Sequence, residues 1–166
     1  AITGLPAGVG GKVLQVVNST ANYGQNSTST SANDVLSSSG VTWETAITPS
    51  ATSSKILIQA SICIYNANNN GNTVQEKRFN LYTHAKIGSG NYSSILTQGA
   101  FGHYYYNGTQ QVILAPNTLT FSKLYTSNTT SAVSFKFLYS PFSTNGKIEL
   151  NGNGKISSLT LTEIAG

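Results

Sequence analysis

Residues 55–65 read Lys-Ile-Leu-Ile-Gln-Ala-Ser-Ile-Cys-Ile-Tyr, which puts Ile56, Ile58, Ala60, Ile62 and Ile64 at every second position. Side chains alternate between faces along a strand, whereas a helix needs apolar residues three and four apart. This segment is therefore a strand with one face against a core. The same period recurs where Val41, Trp43, Thr45 and Ile47 alternate with Thr42, Glu44, Ala46 and Thr48. It recurs again in Phe79, Leu81, Thr83, Ala85 and Ile87, and at the end of the chain, where Leu159 and Leu161 sit opposite Ser158, Thr160 and Thr162. Further strands are expected at Lys12–Val17, near Asp34-Val35-Leu36, and at Tyr92–Thr97, Phe101–Tyr106, Gln110–Ala115, Leu119–Tyr125, Val133–Tyr139 and Lys147–Leu150. Lys12–Val17 lacks clean alternation and reads as a strand covered on both faces.

Composition removes the alternatives. Ser, Thr and Asn fill 59 of the 166 positions, and these side chains compete with helical backbone bonds and favour strands and turns. Charged residues are only 8%, too few for a Lys/Glu-coated helical surface. Asn107-Gly108, Asn145-Gly146 and Asn151-Gly152 suit the positive φ of tight hairpins. About ten short strands at this spacing, with no repeat, predict an all-β antiparallel sandwich of jelly-roll type over residues 12–166. Residues 1–11 hold Gly4, Gly8, Gly10, Gly11 and Pro6, and read as a flexible N-terminal arm.

Chemistry is thinly supplied. The titratable candidates are Asp34, Glu44, Glu76, Glu149, Glu163, His84, His103 and Cys63. Glu44 and Glu163 read as solvated residues on polar strand faces rather than a catalytic pair. His84 and His103 are too far apart for a zinc spacing, so no metal and no cofactor is expected. Cys63, between Ile62 and Ile64, reads as a small packed side chain, and a lone cysteine makes no internal disulfide. The net charge of +4 comes from basic residues spread singly, with only Lys77-Arg78 adjacent, so no nucleic-acid partner is expected. No apolar stretch approaches membrane length and no leader opens the chain, so neither membrane insertion nor a signal peptide is expected. Binding candidates are His103-Tyr104-Tyr105-Tyr106, whose rings suit sugars or protein partners, and the Asn66–Asn72 loop with Asn68, Asn69 and Asn70.

Three segments carry a likeness: Gly11-Lys12-Val13-Leu14-Gln15-Val16-Val17, then Ile47-Thr48-Pro49-Ser50-Ala51-Thr52-Ser53-Ser54-Lys55-Ile56-Leu57-Ile58, and Ser157-Ser158-Leu159-Thr160-Leu161-Thr162-Glu163-Ile164-Ala165-Gly166. Together they resemble a module of virion proteins of tailed phages, especially cyanophages. The resemblance implies a non-enzymatic, commonly trimeric β-module on the virion surface, made in the host cytoplasm. With no shaft before Gly11, it implies attachment directly to the particle through the arm residues Ile2, Leu5, Pro6 and Val9. The implied role is a homotrimeric capsid decoration or cement protein whose partners are copies of itself and the major capsid protein. The alternative is a tail-fibre tip or receptor-binding knob that takes a host-surface glycan. A neutral Ser/Thr/Asn exterior suits crowding of identical copies, because it gives little charge repulsion.

Overall fold

The computed structural model describes residues 12–65, 75–76, 79–101, 104–105, 117–142 and 148–166. Among the described residues thirteen strands run in chain order: β1 (Val13–Ala21), β2 (Gln25–Ser27), β3 (Asn33–Asp34), β4 (Glu44–Ile47), β5 (Lys55–Tyr65), β6 (Gln75–Glu76), β7 (Phe79–Ile87), β8 (Ser93–Phe101), β9 (Tyr104–Tyr105), β10 (Asn117–Thr126), β11 (Val133–Pro141), β12 (Ile148–Leu150) and β13 (Ser157–Ile164). The helical content among the described residues is one short 3-10 turn at Gly152–Gly154.

Two antiparallel sheets form the body. In the first, β5 pairs along one edge with β10 and along the other with β13 and then β12. β1 pairs with β13, and β2 with β12. Six strands therefore occupy four positions across the sheet. In the second sheet β11 pairs with β7 on one edge and with β4 and β3 end to end on the other, and β8 closes the far side against β7. Counting the eight positions in chain order, the sheets run first-eighth-third-sixth and second-seventh-fourth-fifth. That is the strand order of a jelly roll, two antiparallel sheets wound by Greek-key connections.

The alternation read from the sequence supplies the core. Ile56, Ile58, Ile62, Leu159 and Leu161 project from the first sheet onto Phe79, Leu81, Phe135 and Phe137 of the second, all essentially buried. The Phe137 ring lies 5.4 Å from that of Trp43 and meets Phe121 edge-on at 5.8 Å, while Tyr125 meets Phe135 edge-on at 5.5 Å. The last two contacts cross between sheets, because Phe121 and Tyr125 lie on β10 and their partners on β11.

Four expectations change. Val13–Ala21 is an edge strand rather than one covered on both faces: Val16 is 58% exposed, and of its apolar residues Val17 and Ala21 pack on the core. Val41 is exposed although Trp43, Thr45 and Ile47 are buried, because the chain at 35–43 leaves the sheet as a small excursion closed by the Leu36–Thr42 bridge. Ile87, which completes the β7 alternation, is 43% exposed because it ends the strand beyond the core rows. Asn151-Gly152 does not turn a hairpin. Asn151 has the expected positive φ of 54°, yet β12 and β13 follow one another along the same edge of β5, with residues 151–157 bulging opposite Ile62 and Cys63. The Cys63 carbonyl accepts from the Asn151 amide, and the Cys63 amide donates to Ser157 Oγ, which in turn donates to Asn151 Oδ1 at 2.6 Å. Burial pushes the Cys63 thiol up, as a packed side chain requires. Gln110–Ala115, Asn107-Gly108 and Asn145-Gly146 lie outside the described residues.

Replacing a fully buried ring that bridges both sheets leaves a cavity the sheets cannot close. Phe137→Ala is expected to lower stability in urea unfolding by about 3–5 kcal/mol, while Val41→Ala, at an exposed site, stays within about 0.5 kcal/mol of the parent.

Candidate functional site

The edges where the two sheets meet are joined by polar side chains. Ser19 of β1 hydrogen-bonds Thr45 Oγ1 of β4 and accepts from Trp43 Nε1 at 3.0 Å. Gln25 of β2 donates to the Asp34 carbonyl at 2.9 Å and accepts from the Leu36 amide at 2.6 Å. Gln15 donates to the Thr48 carbonyl. Short and amide side chains thus replace aliphatics on the inner face of this edge, where each reaches a partner on the opposite sheet.

The seam ends on Glu163. The alternation that buries Leu159 and Leu161 carries Glu163 inward as well, and it is 1% exposed. Its Oε1 accepts from the Ser50 amide and the Ser50 hydroxyl at 2.7 Å and from the Ser54 hydroxyl at 2.6 Å. Its Oε2 accepts from Gln15 Nε2 at 2.7 Å. Neither ion pair among the described residues involves it. Burial alone would push this carboxyl up, but the Ser54 hydroxyl, the Ser50 amide and hydroxyl, and the Gln15 amide hold it down at about 2. Glu163 is therefore an enclosed anion rather than the solvated residue expected from the sequence. Its donors lie more than a hundred residues away in the chain, so no local pattern announces them. Gln15, Ser50, Ser54 and Glu163 belong to the three segments that resemble the phage module, and the fold closes those segments into one hydrogen-bonded unit.

The outer faces of the two sheets differ. On the second, Lys136 pairs with Asp34 at 2.8 Å and Lys86 with Glu44 at 3.0 Å. Both ammonium groups lie within 4.7 Å of the Tyr92 ring centre. Burial and the nearby Glu44 and Asp34 carboxylates push the Tyr92 phenol up, although its hydroxyl finds no hydrogen bond of good geometry. Burial, followed by the Lys136 charge, lowers His84. Glu44 is thus a solvated face residue, as expected, and it does not approach Glu163 as a pair. Among the described residues no three His, Cys, Asp or Glu side chains come together as a metal site.

The outer face of the first sheet carries rows fixed by register. Leu124, Leu57, Thr162 and Val16 form one row, and Ser122, Gln59, Thr160 and Asn18 the next. Thr120, Ser61, Ser158 and Thr20 form the third. None of these twelve side chains is charged. Asn18 Nδ2 donates to Thr160 Oγ1 at 2.9 Å, which tethers the edge strand to its neighbour. The short serines leave a shallow groove of about 550 Å³ between Gln59, Thr120, Ser122 and Thr160. Val16 and Leu124 are more than half exposed.

Of the binding residues expected from the sequence, Tyr104 and Tyr105 form β9, in register with Glu76 and Gln75. His103, Tyr106, Asn68, Asn69 and Asn70 lie outside the described residues, as do the arm residues Ile2, Leu5, Pro6 and Val9. Sequence reading missed this face, whose three central rows are uncharged, as a surface. The signal was present in the polar members of the alternating strands, which are hydroxyls and amides rather than charges.

No protein-family model and no curated protein matches the chain. Among solved structures, that of infectious bursal disease virus Gx strain is similar at 13% identity with a TM-score of 0.42, over 93% of this chain and 38% of that one. The VP2 subviral particle of infectious bursal disease virus is similar at 11% identity and a TM-score of 0.42, over 92% and 37%. This chain spans less than two-fifths of the length of either. Among the described residues no helix is long and apolar enough to cross a membrane.

Glu163 links stability to acid. Its carboxyl is held below the ordinary 4.5, so its contribution is complete above that pH and is lost as pH falls from 4.5 through about 2. Thermal melts across this range are expected to show a falling limb in the parent that is flattened in Glu163→Gln. At pH 7 the variant is expected to be less stable by about 2–3 kcal/mol, the scale of hydrogen bonds to a charged acceptor.

Proposed function

We propose that this chain is a non-enzymatic virion structural protein, a homotrimeric capsid decoration or cement module that binds the particle surface. The observation that carries this reading is the meeting of the three phage-like segments on Glu163. The residues behind the likeness are those that join the edges of the fold, so the likeness concerns architecture rather than Ser/Thr-rich composition. In this reading residues 12–166 are one domain and residues 1–11 an attachment arm that uses Ile2, Leu5, Pro6 and Val9. The partners are further copies of the chain and the major capsid protein, and the location is the virion surface.

A second reading is a tail-fibre tip or receptor-binding knob for a host-surface glycan. The neutral groove favours it, since Gln59, Ser61, Thr120, Ser122, Ser158 and Thr160 offer hydroxyls and an amide without charge. Double-sheet jelly rolls serve capsid and lectin domains alike, so topology does not separate the two readings.

Imaging of particles labelled on this chain is expected to place it at regular positions over the capsid. Label confined to the tail, together with glycan-array binding weakened in Tyr104→Ala and Tyr106→Ala, would replace the first reading by the second.

A further inference from the structure

We propose that copies of this chain meet through the outer face of the first sheet, with the row Leu124, Leu57, Thr162 and Val16 at the centre of the contact. This rests on the virion-assembly reading and names the surface that reading leaves open. Four of the nine exposed large apolar side chains among the described residues, Val13, Leu14, Val16 and Leu124, gather at one end of this sheet. Val16 and Leu124 cap the two ends of a single row. Val13 stands on the adjoining row through its register with Ile164, and Leu14 occupies the bulge between Val13 and Gln15. Exposed apolar side chains gathered into one patch mark an interaction surface, whereas scattered ones do not.

The occupant follows from charge and size. The rows on the far side of the apolar row hold hydroxyls and amides, so a second copy meets one ammonium, Lys55, and otherwise uncharged groups, and hydroxyls donate and accept equally well against their own kind. The charge this face carries is Lys55, exposed on the row of Thr126, Ile164 and Val13 beside the apolar row. Four strands about 4.8 Å apart and about nine residues long at roughly 3.3 Å each make a face of about 550 Å². Two such faces bury about 1,100 Å² in total, near the ~1,000 Å² that a specific protein contact requires. The opposite outer face is less suited to this role, because Lys86, Glu44, Lys136 and Asp34 would have to lose water on contact.

The test is light scattering with size-exclusion chromatography on the whole chain and on Val16→Glu and Leu124→Glu, with Val41→Glu as an exposed apolar control away from the face. Circular dichroism melts check that each variant is folded. The parent is expected to self-associate, both face variants to weaken association at least tenfold, and Val41→Glu to leave it unchanged. A trimer that survives both face variants discards this surface while keeping the proposed assembly. A dimer lost in both variants keeps the surface and discards the threefold assembly. A parent that stays monomeric at high concentration discards both, and a monomer whose groove residues shift on titration with a neutral oligosaccharide identifies a glycan as the occupant instead.

Discussion

The fold depends on β5 and β11 each having both edges filled along nearly their whole length while one face is buried. A buried backbone amide or carbonyl left unpaired costs about as much as a lost hydrogen bond, so the central strand of each sheet dictates what lies beside it. One of the two neighbours of each is continuous, β10 for β5 and β7 for β11, and the other is broken. β12 and β13 share one edge of β5, and β3 and β4 share one edge of β11, with the chain bulging between each pair. The breaks are tolerated because the exposed ladder groups find other partners. The Cys63 amide and carbonyl take Ser157 and Asn151, and the Phe137 carbonyl takes the Val35 amide. Insertions thus enter this jelly roll at places where a side chain or a stray amide can complete the ladder.

The same accounting explains the heavy use of Ser, Thr and Asn. Ser54 and Ser157 are fully buried, and each is hydrogen-bonded, the first to Glu163 and the second to Asn151. A hydroxyl is small enough to sit inside a seam and can both donate and accept, so it joins strand edges where an aliphatic would leave the facing amide unpaired. On the outside the same side chains keep a sheet face wet without charge. One residue type therefore serves two ends, and composition alone does not say which copy serves which.

That ambiguity marks what the sequence reveals and what it withholds. β5, β7 and β13 are legible because a period of two written in Ile, Leu and Phe against polar residues has one reading. Edge strands are not, since β1 sends only Val17 and Ala21 to the core, and its inward Gln15 and Ser19 look like solvent-facing residues until their partners on β4 and the 48–54 turn are known. Asn151-Gly152 announces positive φ correctly, but a dipeptide carries no information about whether the chain then reverses or resumes the same line. Glu163 is the sharpest case. Its position in the alternation already places it with Leu159 and Leu161, yet a carboxylate is expected in water, and only donors distant in the chain make the buried position tenable.

The electrostatic asymmetry between the two outer faces bears on how such a domain can be used. Covering a surface removes water from every group on it, and the cost is several kcal/mol for each ion whose partners do not improve on contact. The Asp34–Lys136 and Glu44–Lys86 pairs beside Tyr92 are already matched on their own sheet, so a partner laid over them supplies desolvation and little compensation. On the first sheet, apart from the Lys55 ammonium at the end of β5, the groups to be desolvated are hydroxyls, amides and aliphatics, for which burial is either favourable or offset by one new hydrogen bond each. A jelly roll has two broad faces with the same backbone geometry. Here the placement of a few charges decides which one can be covered, and that choice is made by the outward-facing residues, which contribute least to the core.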